Sequence, residues 1–283
     1  MTGRTVRPLA VPEAIDKAFV PSIEALRALH GPGAAADPEK IHRARTAVRR
    51  LRSNIRILDA HTDPVPSLRD ELEWLGDGLG TVRDADVLMA RVGREVGELP
   101  GRLLPGTTTL LAAIGAERRA ADVRVRADVG SARFRLLLDE LDLFLKEASA
   151  SPGTIEARDV LRPRWRALRN AVRDLSEPQT DEQLHDLRIE TKRARYAAEI
   201  FAPVSGPRGR RFVRRATRLQ DVLGAQHDAV RAHTWFLGFA GDDPSAAAAS
   251  GWLAARAAAN RDALRQAWRQ AWASLGRPKA RFW

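Results

Sequence analysis

Two segments of this chain, residues 41–52 and 184–195, carry one pattern, and that pattern restricts the fold more than any other feature. Both read apolar-His-x-x-Arg-x-x-x-basic-Arg-apolar-Arg. His42 and His185 are 143 positions apart, and Arg45, Arg49, Arg50 and Arg52 recur at the same offset as Arg188, Lys192, Arg193 and Arg195. Neither segment contains Gly or Pro. At 3.6 residues per turn, offsets 0, 3, 7 and 10 from the histidine fall within roughly a quarter of a helix circumference. One face therefore collects His42, Arg45, Arg49 and Arg52, with Arg56 one turn further on. Its counterpart collects His185, Arg188, Lys192 and Arg195, with Glu199 in the place of Arg56. Ala44, Ala47, Leu51, Ile55 and Leu58 lie opposite the first face, and Leu187, Ala194, Ala198 and Phe201 opposite the second. Each segment is predicted to be a helix with an apolar side for a core and a cationic side for a partner.

Like charges three and four apart on a helix repel by about 0.2–0.5 kcal/mol per pair. A solvated helix would interleave acids, yet residues 41–56 carry six arginines and no Asp or Glu. The chain is rich in Arg, 42 against 5 Lys, so one basic face alone could be plain solvated surface. Its repetition with the same histidine offset points to two helices sharing a polyanion. The formal net charge of +11 agrees with an acidic partner. With no cysteine there is no disulfide framework and no thiolate chemistry. No apolar run is of membrane-spanning length and no leader opens the chain, so a cytoplasmic location is expected.

The rest of the chain reads as helices separated by breaks. A helix is predicted over 9–29 with a kink at Pro21, then a break at Gly31-Pro32-Gly33. Asp37-Pro38 is an N-cap with proline at the first helical position, opening the first basic helix, which should end near Ala60. Asp63-Pro64 repeats the signal for a helix to Leu79. Gly80 is read as its end, and Asp84 as the opening of another helix to Val96. Helices follow over 107–128 and 131–148, a break at Ser151-Pro152-Gly153, and a helix over 154–175 that holds Pro163. Thr180 and Gln183 form a capping box for the second basic helix. Residues 203–207 are a turn. Helices over 208–223, ended by Gly224, and over 226–237 lead to a long Ala-rich helix over 245–275. No segment alternates as a strand would.

Leu75, Leu79, Gly80 and Asp84 match Leu219, Leu223, Gly224 and Asp228 at an offset of 144. The expected fold is all-α: two pseudo-twofold-related antiparallel helical bundles from an internal duplication, whose axis would bring the two basic helices together. Residues 8–278 would form a single domain of two helical repeats, about 8–130 and 154–276, with a connecting helix at 131–148.

The two basic motifs resemble those of the CHAD family, the conserved histidine alpha-helical domain. Residues 79–87 (Leu-Gly-Thr-Val-Arg-Asp-Ala-Asp-Val) and 219–224 (Leu-Gln-Asp-Val-Leu-Gly) are similar to its second motif pair, and Arg133-Phe134 matches a further feature. The resemblance covers nearly the whole chain. The resemblance implies an all-helical domain of two pseudo-symmetric bundles with a basic central cavity that binds inorganic polyphosphate, in a family often fused to triphosphate-tunnel domains or associated with polyphosphate granules. The tunnel signature Glu-x-Glu-x-Lys is absent here: Glu71-Leu72-Glu73-Trp74-Leu75 has Leu at the last position. A free-standing, non-catalytic binding module is expected, with granules and their proteins as associated partners. The departures are Ala194, where a larger apolar residue is common, and Glu199.

A linear polyphosphate offers charge and oxygens and no base to read, which suits the planar fork of Arg. The expected ligand contacts are His42, Arg45, Arg49, Arg50, Arg52, Arg56, His185, Arg188, Lys192, Arg193 and Arg195. Arg211, Arg215 and Arg218 are read as a third stripe widening the same surface. The histidines should donate to phosphate oxygens, their pKa depressed by the surrounding arginines, so that binding strengthens as pH falls through the histidine range. Asp84 and Asp228 are read as N-caps or as acids that orient the arginines. No cofactor and no metal site is expected. Trp165, Trp252, Trp268 and Trp272 are assigned to packing. Two rivals remain. A nucleic-acid binder is permitted by the charge but lacks a reader motif. A phosphoanhydride-processing enzyme would need acids for Mg²⁺ that the motifs do not supply.

Overall fold

The structure is a computed structural model that describes residues 6–30, 37–58, 66–150 and 152–283, with the side chains of Arg56, Leu58, Pro66 and Pro278 left undescribed. The Gly31-Pro32-Gly33 break, Ala60, Asp63-Pro64 and Ser151 lie outside the described residues, and so does the side chain of Arg56. The fold is all-α. The helices are α1 (Val11–Ala18), α2 (Val20–Arg27), α3 (Pro38–Leu58), α4 (Pro66–Glu95), α5 (Leu104–Gly130), α6 (Ala132–Ala150), α7 (Ala157–Arg173), α8 (Asp181–Phe201), α9 (Gly206–Gly238) and α10 (Pro244–Leu275). The single exception to a purely helical reading among the described residues is a two-residue antiparallel bridge, β1 (Leu9–Ala10) with β2 (Thr154–Ile155).

The start signals of both basic helices work as local chemistry requires. Asp37 Oδ1 accepts from the Glu39 amide at 2.9 Å, ahead of Pro38 in the first turn of α3. At α8, Thr180 Oγ1 accepts from the Gln183 amide at 3.2 Å while Gln183 Oε1 accepts from the Thr180 amide at 3.0 Å. The segment expected as one kinked helix over 9–29 is two helices meeting at Phe19, with Pro21 in the first turn of α2. Pro163 stays within α7.

The expected breaks at Gly80 and Gly224 do not occur. α4 and α9 run straight through them, so Asp84 and Asp228 are interior helix residues and not N-caps. The physical reason lies in the neighbouring helices. A Cβ on Gly80 would stand 3.9 Å from Nε of Arg45, and a Cβ on Gly224 would stand 4.0 Å from Nε of Arg188. In each place an arginine of a basic helix lies across the long helix, over the glycine and at ordinary contact distance from where a Cβ would be.

α3 packs against α4 and α8, α8 against α7 and α9, and α10 against α9 and α5. The larger apolar core draws Ile41, Leu51 and Ile55 of α3 together with Leu72 and Leu79 of α4, Leu187 and Phe201 of α8, and Phe212 and Leu219 of α9. A second core lies under the far ends of α4 and α9: Leu88, Val92, Leu110, Ile114, Phe236, Ala249 and Leu253. Both cores take residues from both halves of the chain. Phe134, in the Arg133-Phe134 feature, is fully buried, while Arg133 reaches Glu71 of α4 at 2.6 Å and lies 4.1 Å over the Trp74 ring.

Candidate anion-binding cleft

α3 and α8 meet with their cationic faces turned toward the same ends of α4 and α9. Arg45 Nη2 stands 3.6 Å from Asp84 of α4, and Asp84 also holds Arg231 of α9 at 2.8 Å. Asp228 of α9 lies in the field of Arg188 and Arg45, and burial holds its pKa above the usual carboxylate value. The acids thus tie arginines of different helices to one spot. Burial lowers the pKa of both Arg45 and Arg188, with Arg49 adding repulsion in each case. The guanidinium keeps its proton regardless, so the shift measures the cost of gathering these charges.

Arg49 and Lys192 face the open side. They line a cleft of about 610 Å³ with Arg52, Arg69, Arg193 and His185. Asp70, Glu73 and Asp77 stand at its α4 wall, and Glu73 holds Arg52 at 2.8 Å. Arg49 Nη2 has Thr46 Oγ1 as its partner at 3.3 Å, and its Nε is buried with none. Lys192 has no carboxylate or hydrogen-bond partner among the described residues. Burial, then Arg188, Arg49 and Arg45, pulls its pKa from the ordinary 10.5 to about 7. Tyr196 closes the cleft floor with its hydroxyl buried and unpaired.

The histidines are placed unequally. His185 Nδ1 lies 3.3 Å from Nδ1 of His227 on α9, a contact that needs one ring to donate and the other, neutral ring to accept. Burial, then Arg188, depresses both pKa values, to about 3 for His227. His42 is exposed, in a hollow of about 430 Å³ shared with Arg83, Asp37 and Glu39. Its pKa is lowered by burial first and by Arg83 second. Burial, more than the arginines, is thus the larger cause of each downward shift.

The other sequence-predicted residues divide. Arg193 is paired with Glu190 at the cleft edge. Arg50 and Arg195 leave the cleft: both pair with Glu199, at 3.3 and 2.7 Å, and flank the Tyr196 ring at 6.0 and 4.5 Å. Glu199 thus joins α3 to α8. Arg211, Arg215 and Arg218 do not line the cleft. On α9 they stand six to thirteen residues before Gly224, which rotates them by about a third to a half turn from the face of that glycine. Among the described residues, no three His, Asp or Glu side chains converge as metal ligands.

The family profile of the CHAD domain matches residues 22–237. This chain belongs to the CHAD family. The crystal structure of the CHAD domain from the plant Ricinus communis is similar at 26% identity and a TM-score of 0.79, covering 97% of this chain and 95% of that one. PptA from Streptomyces chartreusis has the same fold, with a TM-score of 0.76 at 22% identity, covering 94% of this chain and 100% of that one. An uncharacterized Mycobacterium tuberculosis protein, Rv2226, is 30% identical over 210 residues, which are 68% of this chain and 39% of that protein. The chain therefore spans about two fifths of the length of the curated relative it matches. Among the described residues, no helix is long and apolar enough to cross a membrane.

Within this CHAD fold, Tyr196 lines the cleft, His227 meets His185, Arg231 shares Asp84 with Arg45, and Arg83 lines the hollow of His42, and the sequence singled out none of them for the site. Arg83-Asp84 and His227-Asp228 do match at the offset of 144, and the position three or four residues past each glycine was the available signal. Once the glycines are helix-interior, those positions lie on the glycine's own face, where Asp84 meets Arg45.

Proposed function

We propose that this CHAD chain binds inorganic polyphosphate in the cleft between α3 and α8, and that it acts by binding and not by turnover. The observation that carries the reading is Lys192. A half-buried ammonium beside Arg188, Arg49 and Arg45, with no carboxylate of its own, is unfavourable in the free protein. An anion seated against Arg49 and Lys192 relieves that repulsion. The unpaired Tyr196 hydroxyl and Arg49 Nε then gain an acceptor. Asp84 and Asp228 hold the arginines in place and leave Arg49 and Lys192 to the ligand. The family resemblance supplies the choice of polyphosphate among polyanions, and location at polyphosphate granules follows from that ligand.

Equilibrium binding of long-chain polyphosphate to the wild type, Arg49→Glu and Lys192→Glu tests this. Each reversal should weaken binding by about tenfold or more, since it replaces a charge-assisted contact with repulsion, while circular dichroism stays that of a folded helical protein. Unchanged affinity in both variants contradicts the site. Release of inorganic phosphate from polyphosphate in the presence of Mg²⁺ contradicts the non-catalytic part.

A further inference from the structure

α7 has two basic sides. Arg164 lines the cleft described above. Arg158, Arg162, Arg166 and Arg169 line a different cleft, of about 620 Å³, with Arg208 from the start of α9 and Arg281 beyond α10. The first four lie within about a quarter turn of one another and span about 16 Å along the helix. Each is exposed, and none of the four, nor Arg208, has an ion-pair partner among the described residues. Glu156 is the one carboxylate among the lining residues.

The floor of this second cleft is a cluster of aromatic rings. Trp165 stacks on Trp272 at 5.6 Å and meets Trp283 edge-on at 6.2 Å, and Phe282 and Trp283 pack on Phe212 at 5.7 and 5.2 Å. Trp165 is 5% exposed, and its indole Nε1–H, buried beneath the cleft, has no acceptor. A buried donor left unpaired is costly unless something fills it.

We infer that this second cleft is a further binding site for an extended phosphate chain, separate from the one between α3 and α8. The inference rests on the polyphosphate reading of the first cleft. A ladder of arginines one helical turn apart fits a ligand that presents charge repeatedly along its length, and exceeds what a single phosphate needs. Trp165 and Phe282 are covered by neighbouring rings, and the half-buried Trp283 is committed to edge-to-face contacts with Trp165, Phe212 and Phe282, so no stack of parallel ring faces lines the cleft for bases. Charge and spacing then remain the means of recognition, which favours a polyphosphate over a nucleic acid. A long chain engaging both clefts would be held by the second at high effective concentration once the first is occupied.

The test is calorimetric titration with a short polyphosphate that fits one cleft, using the wild type, Arg162→Glu/Arg166→Glu, Arg158→Gln/Arg169→Gln and Lys192→Glu. The wild type should take up two short chains, and each double variant one. Long-chain affinity should fall about tenfold or more in the charge-reversal variant. Exposed arginines hold no core, and the neutral double variant supplies the same reading should the reversal disturb folding. Two short chains bound by both double variants overturns the second cleft alone. Loss of binding in the double variants with none in Lys192→Glu overturns the first site and leaves the second. A wild type that takes up no polyphosphate overturns both. A double variant that loses affinity for single-stranded RNA but not for polyphosphate overturns the choice of ligand.

Discussion

Lys192 sets the terms at the residue scale. Its folded pKa, about 7, lies below the ordinary 10.5, so between those values the unfolded chain binds more protons than the folded one. Stability from this group rises with pH across that window and is flat below it. Replacing it with Met should therefore raise stability at pH 6 by about 1–2 kcal/mol in chemical denaturation, the range typical of relieved functional strain, while weakening polyphosphate binding. A loss of stability would mean that Lys192 has a partner in the free protein. A bound polyanion raises the lysine's pKa, so binding at pH 8 should take up protons. That uptake is read as a dependence of binding heat on the ionisation enthalpy of the buffer. Lys192→Arg keeps the charge and should flatten the pH dependence between pH 8 and 6. The expected histidine window shifts for a plain reason: burial lowers the pKa of His185 and takes that of His227 to about 3, while that of the lysine is brought to about 7, so the lysine is the group that responds near neutrality.

At the scale of elements, the glycines separate local from tertiary causes. Gly80 and Gly224 read as helix stops because glycine is the commonest residue after a helix end. Each instead sits mid-helix beneath an arginine of another helix, which no local window contains. A Cβ at either position would make ordinary contact with that arginine. Gly80→Ala should therefore fold and gain up to about 1 kcal/mol from helix propensity. Gly106→Ala is the contrast. Its Cβ would lie 2.2 Å from the Ser245 carbonyl oxygen, where α5 meets the start of α10. It should cost about 2–3 kcal/mol through forced separation of backbones. Thermal denaturation of the two variants separates them, and equal effects would contradict the packing. The capping residues Asp37 and Thr180 were legible because their chemistry is complete within four residues. The two basic helices were legible because helical periodicity alone puts His42, Arg45 and Arg49 on one face. The roles of Arg50, Arg195 and Glu199 were not, since a charge on a helix face does not disclose which neighbour neutralises it.

The whole molecule brings these helices together through cores that mix the two halves of the chain, so that Asp84 of the first half holds Arg231 of the second at 2.8 Å. The result is a cleft whose fixed acids orient some cations and whose remaining cations, Arg49 and Lys192, have no carboxylate among the described residues. A net charge of +11 draws any polyanion to such a surface, and attraction of that kind weakens steeply with salt through counterion release. A built site keeps more of its affinity. The most direct measurement is a competition titration at near-physiological salt, with long-chain polyphosphate set against single-stranded RNA and double-stranded DNA matched by phosphate count. Polyphosphate should win clearly on the wild type, and Arg49→Glu with Lys192→Glu should abolish that preference while leaving the helices folded. Nucleic acid binding as tightly as polyphosphate, or a preference untouched by the two substitutions, would contradict the assignment of this cleft.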